Sequence, residues 1–103
     1  MVESKLPLAI VTGAARGIGA CIAQRLAVAG YTVALWDYDG EGAQARAAEL
    51  TAAGHGAIAA RCDVADATHV EAALKSAESA FGTPYLLVNN AGISFAKPVE
   101  EMS

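Results

Sequence analysis

The chain has 103 residues, of which 54% are hydrophobic, 17% charged and 6% aromatic. That length holds one small domain around a single core, and the hydrophobic fraction excludes disorder. Seven Lys and Arg stand against 11 Asp and Glu, a net charge of −4 with no basic cluster, which excludes a nucleic-acid backbone as partner. No apolar run approaches the ~20 residues that span a bilayer, so no membrane association is expected. Glu3, ahead of a short apolar run, does not fit a signal peptide. Cys21 and Cys62 are too few for a disulfide framework and lack metal-ligand spacing, so a reducing cytoplasm is the expected compartment.

In chain order, Leu8–Val11 is a short apolar run ended by Thr12 and Gly13, which reads as a strand buried on both faces. From Gly17 to Ala29 the apolar residues Ile18, Ile22, Leu26 and Ala29 recur at helical spacing, and Gly30 stops the helix. Residues Thr32–Trp36 form a second strand closing on Asp37. A second helix runs from Glu41 to Ala53, with Gly54 at its end. Ala57–Cys62 is a third strand, leading into Asp63 and Val64. Asp66 caps a third helix whose inward stripe is Val70, Ala73, Leu74, Ala77 and Phe81. Gly82 and Pro84 break that helix, and Leu86–Val88 is a fourth strand ending in Asn89, Asn90, Ala91 and Gly92. The segment from Ile93 to Ser103 reads as a loop leading to a new helix, with Glu100 and Glu101 at a solvated helix start. Strands that alternate with helices imply parallel pairing and right-handed crossovers, hence an α/β fold with a doubly wound parallel sheet. The 25 alanines suit helices that pack closely on a flat sheet.

The turn from Thr12 to Gly19 carries Gly13, Gly17 and Gly19 between the first strand and the first helix. Glycine there serves a tight turn, close backbone approach to a phosphate, and close helix–strand packing. The free N–H groups of a first helical turn, with the helix dipole behind them, bind a pyrophosphate without any lysine. Asp37 lies 18 residues beyond Gly19 at the end of the second strand. A carboxylate there accepts both hydroxyls of an adenosine ribose and repels a 2′-phosphate, which puts NAD ahead of NADP. The plainer reading of Asp37 is a strand-end residue that caps a turn with Asp39 and Gly40. Arg16, in the loop, pulls the other way because a cation there can meet a 2′-phosphate.

The Gly-x-x-x-Gly-x-Gly spacing of residues 13–19 resembles the short-chain dehydrogenase/reductase family. Three further features share the resemblance: Asp37, Asp63 with Val64, and the quartet Asn89-Asn90-Ala91-Gly92. The resemblance implies a Rossmann-like fold and a cofactor-binding set. In it, Gly13, Arg16, Gly17, Ile18 and Gly19 lie at the pyrophosphate and Asp37 at the adenosine ribose. Asp63 and Val64 meet the adenine, and Asn90, Ala91 and Gly92 line the nicotinamide-side ribose. It further implies hydride transfer between a nicotinamide cofactor and an alcohol or ketone, by a homo-oligomer. The likeness covers residues 1–103 as one dinucleotide-binding domain, but only the first portion of a typical member, so the domain is expected to be incomplete at its C-terminus.

Catalysis in the family uses a Tyr-x-x-x-Lys pair, a Ser and an Asn on later elements. Here Tyr31, Tyr38 and Tyr85 are followed four residues on by Leu35, Gly42 and Asn89, and Ser94 and Lys97 lie outside the family's catalytic positions. No catalytic residue is therefore assigned. The 103 residues alone are expected to show no turnover, to bind NAD weakly and to self-associate through the apolar strand Leu86–Val88. A non-catalytic dinucleotide-binding module, acting with another chain, is the alternative reading. His55 and His69 share no ligand spacing, so no metal is expected. Cys21 and Cys62 read as small packing residues, and Trp36 as core. Tyr38 reads equally as a neighbour of the adenine and as a plain surface residue.

Overall fold

The computed structural model describes residues 6–93. Four strands, β1 (Leu8–Thr12), β2 (Thr32–Asp37), β3 (Ala57–Arg61) and β4 (Pro84–Val88), alternate with helices α1 (Gly17–Val28), α2 (Gly40–Ala52) and α3 (Ala67–Phe81). A four-residue helix, α4 (Asn90–Ile93), follows β4. Expectations for residues 94–103, including the helix start at Glu100, lie outside the described residues.

All strand pairs are parallel, in the order β3-β2-β1-β4. β1 registers Leu8 with Thr32 and Thr12 with Trp36 on one side, and Val11 with Val88 on the other. This is the Rossmann-like doubly wound arrangement. The chain winds outward through β2 and β3, then crosses back to β4 on the far side of β1. That reversal opens a crevice at the carboxyl ends of β1 and β4, where the candidate residues converge.

The unbroken apolar character of β1 and β2 follows from burial on both faces. Val11, Val33 and Leu35 pack under α1 and α2, against Ala23, Ala27, Ala43, Ala47 and Leu50. On the opposite face Leu8, Ile10, Ala34 and Trp36 meet Ala73 and Ala77 of α3, flanked by Val70, Leu74 and Phe81. Trp36 is a core residue, in agreement with its place in the sequence pattern. Fully buried side chains such as Leu8 and Leu35 each contribute about 1.5–3 kcal/mol.

Four details depart from the sequence reading. The inward stripe of α1 is Gly19, Ala23 and Ala27, with Ile22 and Leu26 half-buried beside it, whereas Ile18 is 68% exposed and Ala29 lies outside the helix. Small residues at intervals of four bring the helix close to the sheet, and larger ones are displaced to its flanks. Cys21 is exposed on α1 rather than packed, while Cys62 is buried as expected. Pro84 opens β4 rather than merely ending α3, a first-strand position that needs no ladder N–H. β4 is covered unevenly: Leu86 and Val88 are half-buried, but Leu87 is 61% exposed, because α3 is the one long helix on that face among the described residues.

Candidate functional site

The turn after β1 is held by backbone and side-chain bonds from the neighbouring strands. Ala14 N–H donates to Trp36 O at 3.1 Å, and Ala15 N–H donates to Asp37 Oδ2 at 2.9 Å. Gly13 has φ +64° and Gly17 φ +62°, conformations that a side chain disfavours. The three glycines divide the work. At Gly13 a Cβ would lie 2.9 Å from Asn90 Nδ2, so the turn is packed shut there. At Gly19 a Cβ would fall 1.9 Å from Gly13 O, so glycine there serves helix–turn packing. At Gly17 a Cβ would meet nothing within 4 Å, which leaves backbone facing open space.

The start of α1 is unusual for a helix. Its N-cap is Arg16, in extended conformation with no side-chain cap bond, and its first turn holds no acidic residue. Ser, Thr, Asp or Asn normally occupies that place and accepts a first-turn N–H. A cation there also opposes the helix dipole. These first-turn donors therefore suit an external acceptor carrying negative charge.

Asp37 is half-buried at the end of β2. Its Oδ2 accepts Ala15 N–H and its Oδ1 accepts Asp39 N–H at 2.8 Å. The turn-capping reading of this residue is met by these two bonds, and the same side chain borders the crevice. A carboxylate has about four lone-pair sites, and two backbone bonds leave room for hydroxyl donors. Asp39, two residues on, caps α2 by accepting Gly42 N–H at 3.0 Å and pairs with Arg16. Those two bonds, the Gly42 one first, hold its carboxyl below the usual carboxylate range.

At the end of β3, Cys62 N–H donates to Asp37 O at 2.9 Å, which fixes the spacing of the two strand ends. Burial, then the charges of Asp63 and Asp66, push the Cys62 thiol upward, so it is a poor nucleophile. Asp63 accepts Ala65 N–H through Oδ1 and donates its own N–H to His69 Nδ1 at 3.1 Å. His69 thus braces the β3–α3 turn, and no cluster of three or more metal-binding side chains occurs among the described residues. Val64 is exposed beside Asp63.

At the end of β4, the Thr12 hydroxyl ties β1 to the segment that follows the edge strand β4. It accepts Ala91 N–H at 3.0 Å and donates to Asn89 Oδ1 at 3.2 Å. Asn90 is buried, and its Nδ2 donates to Gly13 O at 3.1 Å. The quartet therefore props the glycine turn from behind.

A cleft of about 870 Å³ joins these pieces. Gly13, Arg16, Gly17 and Ile18 line one wall; Asp37, Asp63 and Val64 line a second; Asn90 and Ala91 form the third. Gly19 stands behind the wall, buried, and Gly92 lies in α4. Tyr38, Asp39 and Cys62 also line the cleft. Tyr38 is exposed there with the Arg61 guanidinium 4.9 Å over its ring. Thr12 organises the site although sequence reasoning gives it no role beyond ending the strand, and Asp39, named there only as the turn partner of Asp37, also caps α2 and pairs with Arg16. Asp39 carries a signal, an Asp three residues before Gly42 at a helix start, whereas the role of Thr12 depends on strand pairing.

Comparison with known proteins fits this geometry. Residues 7–103 match the family model for short chain dehydrogenase. The chain is 45% identical over 96 residues to D-threitol dehydrogenase of Mycolicibacterium smegmatis, covering 93% of this chain and 37% of that protein. It is 49% identical over 88 residues to a 3-oxoacyl-(acyl-carrier-protein) reductase of Staphylococcus aureus, covering 84% and 35%. Among solved structures, a hydroxysteroid dehydrogenase from Escherichia coli superposes with TM-score 0.77 at 36% identity, covering 82% of this chain and 37% of that one. A short chain dehydrogenase/reductase from Burkholderia phymatum, in complex with NAD, gives 0.76 at 34%, covering 84% and 31%. The chain thus spans little more than a third of the curated relatives it matches. On the family match and these identities, the chain belongs to the short-chain dehydrogenase family.

Proposed function

We propose that this chain supplies the dinucleotide-binding half of an NAD-dependent oxidoreductase acting on an alcohol–ketone pair. One observation carries the reading: the uncapped start of α1, with open space at Gly17, faces the same cleft as Asp37, Asp63 and Val64. In this reading the N–H groups of Gly17, Ile18 and Gly19 receive the pyrophosphate, with Gly13 shaping the turn and Arg16 flanking it. Asp37 receives the adenosine ribose, while Asp63 and Val64 receive the adenine. Asn90, Ala91 and Gly92 line the nicotinamide-side ribose. A bound nicotinamide would accept or donate the hydride. The chain's own groups bind and orient it at the β1/β4 crevice. The NAD-bound relative from Burkholderia phymatum supports a dinucleotide ligand, and the strand-end carboxylate of Asp37 supports NAD over NADP.

We extend this reading to a cytoplasmic homo-oligomer. Support comes from two free cysteines and from β4, whose Tyr85 and Leu87 are exposed at a sheet edge among the described residues. No helix of the described residues is long and apolar enough to cross a membrane. The test is titration calorimetry of the full-length protein with NAD and NADP. NAD binds more tightly, and Asp37→Ser shifts the ratio of the two dissociation constants toward NADP. An unchanged ratio defeats the role given to Asp37, and no binding of either dinucleotide defeats the reading.

A further inference from the structure

We propose that Asp39 is a specificity-determining residue that favours a 2′-hydroxyl over a 2′-phosphate by sequestering the Arg16 guanidinium. The inference rests on the dinucleotide reading of the cleft and deepens it. Arg16 is the only positively charged residue lining the cleft among those described, against three carboxylates, Asp37, Asp39 and Asp63. It borders the same end of the cleft as Asp37, where a free guanidinium would meet a phosphate dianion by charge and bidentate bonding. It is not free. Arg16 Nη2 donates to Asp39 Oδ2 at 2.5 Å across 23 residues of sequence.

The surroundings hold Asp39 in that position from several sides. Its Oδ1 accepts the Gly42 N–H, and its own N–H donates to Asp37 Oδ1. Asp37 in turn accepts Ala15 N–H, next to Arg16, which closes a ring of contacts from loop to strand end and back. Gly42 leaves the room this needs, since a Cβ there would come within 2.5 Å of Asp39 Oδ2 and 2.9 Å of Ala15 Cβ. The pair lies on an exposed rim, with 76% of the Arg16 side chain accessible, so its thermodynamic strength is modest. Its effect is on charge. Arg16 with Asp39 presents a neutral unit beside the Asp37 carboxylate, and a 2′-phosphate meets net negative charge.

Asp39→Asn tests this, because Asn keeps a cap acceptor for α2 and removes only the charge. In the full-length protein, calorimetric Kd values for NAD and NADP give the discrimination ratio. Asp39→Asn lowers Kd(NADP)/Kd(NAD) by about fivefold. Adding Arg16→Ala restores the parental ratio, because the shift acts through Arg16. Asp39→Ser, a second neutral cap, repeats the result and guards against a folding defect in the first variant. If Kd for both dinucleotides changes in parallel, or the shift survives Arg16→Ala, Asp39 is only a helix cap and the inference is overturned. In that case parental NAD binding leaves the dinucleotide reading intact. Failure of the parent to bind either dinucleotide overturns both.

Discussion

At the start of α2, Asp39 accepts the Gly42 N–H, and at the start of α3, Asp66 accepts those of Thr68 and His69, whereas α1 begins at Arg16 with no side-chain cap. Two helices satisfy their own first-turn donors. The third turns its donors toward a cleft and places a cation where an acceptor belongs. Capping stabilises a helix by about 1 kcal/mol, so the α1 arrangement forgoes stability that its neighbours secure. A local departure from good helix chemistry, surrounded by elements that follow it, is what a functional or strained site produces, and it is the basis of the proposed pyrophosphate site. The α1 start is also where the two positive-φ glycines of the turn fall, Gly13 and Gly17, and a Cβ on the second would meet nothing within 4 Å.

Substitutions separate packing from ligand approach within that turn. Gly19→Val has the largest expected effect, because its Cβ collides with Gly13 O at 1.9 Å. Overpacking against backbone costs about 3 kcal/mol, read as a lowered midpoint of urea denaturation. A parental midpoint would show that the turn gives way easily and that Gly19 has no packing role. Gly17→Val meets open space, so its stability cost is that of a left-handed conformation, about 1–2 kcal/mol. Its greater effect is on NAD affinity, which calorimetry should find lost while the protein remains folded. If binding persists, the open backbone at Gly17 is not where the ligand approaches. Asp66→Ala has the smallest effect: about 1 kcal/mol of stability from the lost cap, with NAD affinity kept. A loss of affinity there, without a loss of stability, would erase the contrast between self-capped and open helices.

Much of this was legible in the sequence because it depends on local spacing. The strand–turn–helix around Gly13–Gly19 and the acid at the end of the second strand follow from neighbouring residues, the quartet after β4 is marked by the family resemblance alone, and the parallel pairing follows from alternation of strands and helices. Other features required tertiary proximity. The inward face of α1 is drawn by Gly19, Ala23 and Ala27, and their closeness to the sheet shifts larger apolar residues outward, which a count of large hydrophobics misplaces. Cys21 is exposed for the same reason, being on the outer side of that stripe. The Thr12 hydroxyl reaches Ala91 across 79 residues, and Arg16 reaches Asp39 across 23, so neither bond has a signature in local pattern.

In the proposed reading, the open start of α1 receives the pyrophosphate of a dinucleotide. Amide chemical-shift mapping during an NAD titration of the isotopically labelled full-length protein tests it most directly. Saturable shifts are expected, largest at the N–H groups of Gly17, Ile18 and Gly19 and smaller at Gly42, Thr68 and His69, whose donors are already satisfied by Asp39 and Asp66. Saturable binding whose largest shifts fall at the starts of α2 or α3, with Gly17–Gly19 unmoved, would contradict it.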